Sequence, residues 1–175
     1  YASLTVAGER AFVIRDESGS LGAFVNTCRH RAAAVAPEDR GHCPRAIVCP
    51  YHGWTYGLDG RLKAVPANAS FPELDPAAYG LVPLEHEVWH GWVFVRFAGD
   101  GPSVATMMAP YEAEIAPYRM ADMVPDMKDV WTDTTDADWK NVMDNFLEGY
   151  HIPLGHPGLQ RLFGGSYEVS TEDHG

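Results

Sequence analysis

Over the first hundred residues, apolar positions come in short runs cut by turn residues rather than in a long helical repeat. Residues 10–15 (R-A-F-V-I-R) and 21–26 (L-G-A-F-V-N) flank D-E-S-G-S, which predicts two strands joined as a hairpin. Residues 46–49 form a short apolar run and residues 54–58 another. The D-G pair at Asp59 and Gly60 then turns the chain into R-L-K-A-V. Residues 82–88 and 92–97 predict a second hairpin around His90 and Gly91, and nothing repeats at a fixed period.

The pattern changes after Phe97. G-D-G-P at residues 99–102 is a break, and three prolines then fall within residues 107–127, so a linker is predicted with a short helix over 104–118. A new pattern starts near Trp131. Across residues 139–150 (W-K-N-V-M-D-N-F-L-E-G-Y), the apolar residues Val142, Met143, Phe146, Leu147 and Tyr150 recur at helical spacing, which predicts a helix with that face buried. Asn141, Asp144, Asn145 and Glu148 fall on the polar face, and Pro153 and Gly155 end the helix soon after His151.

Composition narrows the partners. The chain has 175 residues, 46% of them apolar, which suits one domain or one domain plus part of another. Lysines and arginines number 13 against 24 carboxylates, a formal charge of −11 that excludes a phosphate-tracking surface for nucleic acid. No apolar run is long enough to predict a membrane span, and no secretory leader is expected. Three cysteines cannot form a fully paired disulfide framework, so a cytoplasmic protein of a reducing compartment is expected.

The three cysteines lie between Asn26 and Trp54, together with His30, His42 and His52. Cys28-Arg-His30 and Cys49-Pro-Tyr-His52 give C-x-H, 18 residues, then C-x-x-H. Buried cysteines with unrelated histidines would explain one such pair, but not two, each set in a loop. Zinc is one candidate. Structural zinc sites usually space the first pair by two to four residues, and C-x-H leaves only one. The alternative places the cysteines on one iron and the histidines on a second, the ligand set of a Rieske cluster. Cys43 and His42 then read as bystanders, a packed free thiol and a polar loop residue. Trp54 and Tyr56 read as shielding around the cluster. Arg29 and Arg31 beside it are candidates to meet a partner's carboxylates.

C-R-H-R-A, C-P-Y-H-G-W-T-Y and D-G-R-L together resemble the Rieske domain of ring-hydroxylating oxygenases, over roughly the first hundred residues. In that family the cysteines bind the inner iron and the histidines the outer one. Rieske proteins of respiratory complexes carry an added disulfide, and Ala33 and Tyr51 occupy those two positions here, which disfavours that branch.

A second constellation follows. Glu148 and His151 are three residues apart on one predicted helical face, Asp144 lies a turn earlier on the same stripe, and His156 follows a Pro and a Gly that let it fold back toward His151. Two histidines and one carboxylate make the facial triad of non-haem Fe(II) oxygenases. The same segment resembles the start of the family's catalytic domain. The resemblance implies that His151 and His156 bind mononuclear iron, that Asn145 lies near it, and that Glu148 bridges to a Rieske histidine of a neighbouring subunit. Many members have Asp at that bridge, and Glu occurs in members that attack quaternary ammonium compounds. The family's third iron ligand is an Asp far downstream. Glu172 and Asp173 fall too early to match, so the chain is expected to be the N-terminal part of a longer alpha subunit. Alternatively, Glu148 or Asp144 completes the triad.

The expected architecture is therefore a mainly β Rieske domain, an antiparallel iron-sulfur fold, over residues 1–100, with a linker over 101–130. Residues 131–175 then open an α+β helix-grip catalytic domain. The expected cofactors are a two-iron two-sulfur cluster and mononuclear Fe(II), with dioxygen as co-substrate. The expected partners are a reductase, a ferredoxin or both, delivering NAD(P)H-derived electrons, and further copies in a homotrimer or larger assembly with head-to-tail contacts. The expected reaction hydroxylates or demethylates a small organic substrate, with an aromatic one as the first reading and a quaternary ammonium compound as the alternative. A pure Rieske electron carrier and a zinc-stapled module are the rivals from other classes.

Overall fold

A computed structural model describes residues 1–124, 126 and 133–163. The chain divides into two compact units, Tyr1–Val124 and Pro125–Gly175. The pattern change expected near Trp131, and Glu172 and Asp173, lie outside the described residues.

The first unit holds three antiparallel sheets. Strands β1 (Ala2–Val6), β2 (Glu9–Arg15) and β3 (Leu21–Val25) form one sheet in that order. Strands β4 (Ala46–Val48), β5 (Thr55–Gly57) and β6 (Leu62–Ala64) form the second, and β7 (Glu85–Trp89) with β8 (Trp92–Arg96) the third. β1 has no counterpart in the sequence reading, because its outer residues are exposed and carry no apolar run. It enters through Ala7 and Gly8, both at positive φ, which join Val6 to Glu9 in a two-residue hairpin. The β7–β8 turn repeats this device with His90 and Gly91. The β2–β3 turn is held by the Asp16 carboxylate, which accepts the Ser18 N–H at 2.8 Å and the Ser20 N–H at 2.9 Å.

The core lies between the first two sheets. Phe12 on β2 pairs with Phe24 on β3, their rings 5.6 Å apart, and both pack with Ile14, Ile47, Tyr56 and Leu62. Cys28, Cys49 and Trp54 belong to the same buried cluster, so the loops that carry the candidate ligands are anchored in it.

The predicted helix over 104–118 is broken. Pro110 and Pro117 divide it into α1 (Val104–Met108), α2 (Glu112–Ile115) and short 3-10 turns, since proline lacks the N–H that would continue the ladder. The start of α1 is fixed by Ser103 and by the Glu87 carboxylate, which accepts the Val104 N–H at 2.7 Å.

In the second unit, Asp138 caps α3 (Trp139–Leu147) by accepting the Lys140 N–H at 2.9 Å. One-turn α4 (Ile152–Gly155) and α5 (Pro157–Phe163) follow. Two expectations are corrected here. The helix stops at Leu147 rather than running through Tyr150, because Glu148 turns extended ahead of Gly149. The apolar face is also not buried: no α3 residue is, and Phe146 and Tyr150 stand 80% and 96% exposed. Amphipathic spacing specifies a face, and among the described residues no element of its own unit covers it.

Candidate metal centres

The two loops that carry the candidate ligands share one backbone frame. In the first, the Cys28 N–H donates to the Ala33 carbonyl at 2.7 Å, and the Cys28 carbonyl accepts the Ala32 N–H at 3.0 Å. In the second, Cys49 donates to Trp54 at 2.9 Å and accepts from Gly53 at 3.0 Å, the same offsets. The residue four beyond each cysteine takes positive φ, 56° at Ala32 and 72° at Gly53. Two equivalent turns therefore present a cysteine at the same point and a histidine one position apart, His30 against His52.

Asn26 holds the first loop. It is buried, its Oδ1 accepts the Val35 and Ala36 N–H groups at 3.0 and 2.9 Å, and its Nδ2 donates to the Ala36 carbonyl at 2.7 Å. In the second loop a Cβ on Gly53 would meet the Pro66 ring at 3.1 Å, so both the conformation and the close approach suit glycine.

Within these frames like candidate ligands adjoin. Cys28 and Cys49 are buried, free, and close enough for their sulfurs to interact. The His30 and His52 rings lie 4.6 Å apart. Among the described residues no three His, Cys, Asp or Glu side chains converge on one ion position. A tetrahedral zinc would need all four donors at one point. Two sulfurs and two imidazoles in separate pairs suit a group with two metals. His30 Nδ1 adds a direct test: it is buried and has no hydrogen-bond partner. A buried nitrogen left open in this way fits a metal ligand. Burial, then the charges of His52 and Arg31, holds His30 below the usual imidazole range, which favours the neutral, ligating form.

The surroundings complete the sulfur side. Tyr56 is wholly buried; its hydroxyl accepts the Arg29 N–H at 3.1 Å and lies 3.3 Å from Cys28 Sγ. With its lone pair engaged, the hydroxyl has its own proton to give the sulfur. Burial, then the Cys28 bond, pushes the Tyr56 pKa up, so that proton stays in place. Burial also pushes the Cys49 thiol up, against the opposing pull of the Tyr51 and His52 amides. Trp54 stacks on His30, rings parallel within 3° and 5.0 Å apart. Phe71 and Tyr79 from the Pro-rich segment 66–80 cover Trp54, and neither was singled out by the sequence. Their only signal was aromatic character within a turn-rich stretch. Cys43 is a half-buried free thiol and His42 is exposed.

In the second unit, Glu148 and His151 do not share a helical face, yet they meet. One Glu148 oxygen contacts His151 Nδ1 and the other accepts the Tyr150 N–H at 2.6 Å. The His151 bond, assisted by the Tyr150 amide, holds the Glu148 carboxyl below the usual range. The α4 turn brings His156 back, so that the His151 and His156 rings are 5.1 Å apart. Glu148 thus sits behind His151 rather than beside it as a third donor. Asp144 and Asn145 are exposed on α3.

Comparison with known proteins covers both units. Residues 1–76 match the family described as Rieske [2Fe-2S] domain, and residues 118–175 the ring hydroxylating alpha subunit (catalytic domain). The glycine betaine monooxygenase oxygenase subunit of Pseudomonas aeruginosa is 32% identical over 159 residues, covering 91% of this chain and 36% of that one. The carnitine monooxygenase oxygenase subunit of Escherichia coli is 31% identical over 164 residues, covering 91% and 42%. The crystal structure of the quaternary ammonium Rieske monooxygenase CntA with L-carnitine superposes with a TM-score of 0.82 at 29% identity, covering 92% of this chain and 46% of that one. The chain thus spans less than half the length of these relatives. No helix among the described residues is long and apolar enough to cross a membrane.

Proposed function

We propose, from a chain that joins a Rieske domain to the opening of a ring-hydroxylating catalytic domain and so belongs with the oxygenase subunits of Rieske oxygenases, that its protein oxidises a quaternary ammonium compound. The observation that carries the reading is the pairing of two equivalent cysteine–histidine loops, with His30 Nδ1 left open, ahead of the His151–His156 pair. A pure electron carrier has no use for that second pair.

Cys28, Cys49, His30 and His52 would hold the two-iron two-sulfur cluster, which supplies one electron at a time. His151 and His156 would hold a mononuclear iron, which with dioxygen supplies the oxidising chemistry. The chain's own residues prepare both places. Tyr56 and the loop amides give hydrogen bonds to the sulfurs, and Trp54 excludes water from His30. Glu148 accepts the proton on His151 Nδ1, which fixes the tautomer and leaves Nε2 free to ligate. A bridge from Glu148 to a neighbouring subunit's Rieske histidine would use the same carboxylate from its other side.

The substrate class follows from the relatives, which act on glycine betaine and carnitine by name, and from Glu at position 148. It is preferred here to the aromatic reading. The partners follow from the same likeness: a cytoplasmic reductase or ferredoxin, and further copies of the subunit. Between Ser18 and Leu58 only Glu38 and Asp39 are acidic against four arginines, of which Arg29 and Arg31 flank the cluster loop. That local excess suits a partner's carboxylates.

The test uses the whole protein, loaded with iron and supplied with a reductase and NADH. Glycine betaine, carnitine and choline should drive oxygen uptake, and benzoate and naphthalene should not. Uptake driven by the aromatic compounds alone would overturn the substrate class. A colourless protein without the Rieske electron paramagnetic resonance (EPR) signal would overturn the reading as a whole.

A further inference from the structure

We propose that Phe71 is a positioning residue for electron transfer: its ring seals the His30 side of the cluster pocket against water and so sets the potential of the group held there. The inference rests on the Rieske reading above.

Phe71 is placed by local structure rather than by the core. It follows the 3-10 turn Asn68–Ser70, donates its N–H to the Asn68 carbonyl at 2.8 Å, and accepts the Leu74 N–H at 3.1 Å. From that position its ring stands nearly perpendicular to two others, His30 at 6.2 Å and 88°, and Trp54 at 6.1 Å and 90°. His30 and Trp54 are parallel and Phe71 is almost equidistant from both, so its ring lies against the side of their stack. A groove of about 350 Å³ borders the same ring, lined also by Leu62, Lys63, Asn68 and Leu74. Phe71 is therefore the wall between an open groove and a candidate ligand with a buried, unpartnered nitrogen.

The direction of the effect follows from charge. The reduced cluster carries one more negative charge than the oxidised cluster. Water stabilises that added charge better than an aromatic ring does. Opening the wall should raise the midpoint potential. Tyr79 supplies an internal control. It is 37% exposed, as Phe71 is, but its ring meets Trp54 at 5.9 Å, one step further from His30.

The experiment is an EPR-monitored redox titration of the cluster-loaded protein. Phe71→Ala should raise the reduced-to-oxidised ratio at fixed poise about tenfold, roughly 59 mV for a one-electron couple. Phe71→Leu, which keeps an apolar wall, should stay within about twofold of the parent. Tyr79→Ala should shift the ratio less than about threefold. If the alanine variant fails to fold, Phe71→Val carries the test, with a rise of about threefold. An unchanged potential in the truncated variants, or an equal shift in Phe71→Leu or Tyr79→Ala, would overturn the sealing role while leaving the cluster assignment intact. A parent protein without a Rieske signal would instead remove the reading on which the role depends.

Discussion

Removing one oxygen atom from Tyr56 tests how the sulfur side of the site is tuned. The hydroxyl is buried, accepts the Arg29 N–H at 3.1 Å, and sits 3.3 Å from Cys28 Sγ. Tyr56→Phe keeps the ring and its packing but deletes both bonds. A hydrogen bond to a charged acceptor contributes about 1.5–3 kcal/mol, and only part of that distinguishes the two redox states. Taking that part as about 1 kcal/mol, and about 1.4 kcal/mol per tenfold or 59 mV for one electron, the potential should fall by roughly 40 mV. The sign is set because the donor stabilises the more negative, reduced state. Stability should fall too, by about 1–2 kcal/mol, since the Arg29 amide loses its partner. An EPR-monitored redox titration gives the first quantity and urea denaturation the second. A folded Tyr56→Phe protein whose potential is unchanged or higher would refute the assignment of the hydroxyl proton to Cys28. The predicted fall also opposes the rise expected when Phe71 is truncated, so the two variants separate hydrogen bonding from water exclusion.

Two further outcomes follow from the loops. Ala32 takes φ 56°, where a Cβ costs about 1 kcal/mol, partly offset by the extra freedom of an unfolded glycine, so Ala32→Gly should stabilise by about 0.5 kcal/mol in urea denaturation. The Asp16 carboxyl is held below its usual value, first by Ser18 and then by the amides of the β2–β3 turn. Its folded pKa is depressed, so its contribution is complete above the unfolded value of about 3.9 and is lost as pH falls through the folded one. Asp16→Ala should therefore be less stable than the parent at pH 7, with the two curves converging in acid. A gap that persists at the lowest pH would show that the turn is held by something other than the ionised carboxylate.

Much of the site was legible because its parts are local. C-x-H and C-x-x-H name the candidate ligands, since thiolate and imidazole are required at short spacing and a loop frees them from strand alternation. The turns at residues 16–20, Asp59–Gly60 and His90–Gly91 were legible for the same reason. Local pattern failed where geometry depends on a neighbour. β1 carries no apolar signature, and it is a strand because Ala7 and Gly8 turn it back onto β2. Spacing placed Glu148 and His151 on one helical face, but the helix ends at Leu147, and the two meet through the Gly149–Tyr150 turn instead. Phe71 was invisible because a lone aromatic residue in a Pro-rich stretch has no partner until its loop folds against His30.

By itself the sequence determined which atoms are available: two closely spaced cysteine–histidine pairs in one stretch, two more imidazoles and a carboxylate in another. Those are matters of residue type and short spacing, which no fold can change. The tertiary structure decided how the atoms are arranged and what surrounds them. Pairing of β4 with β5 and packing of both sheets on one core bring Cys28 to Cys49, His30 to His52, and Tyr56 to Cys28 across 28 residues. Such distances follow from strand register and side-chain packing, which are properties of the whole core rather than of any short run of residues.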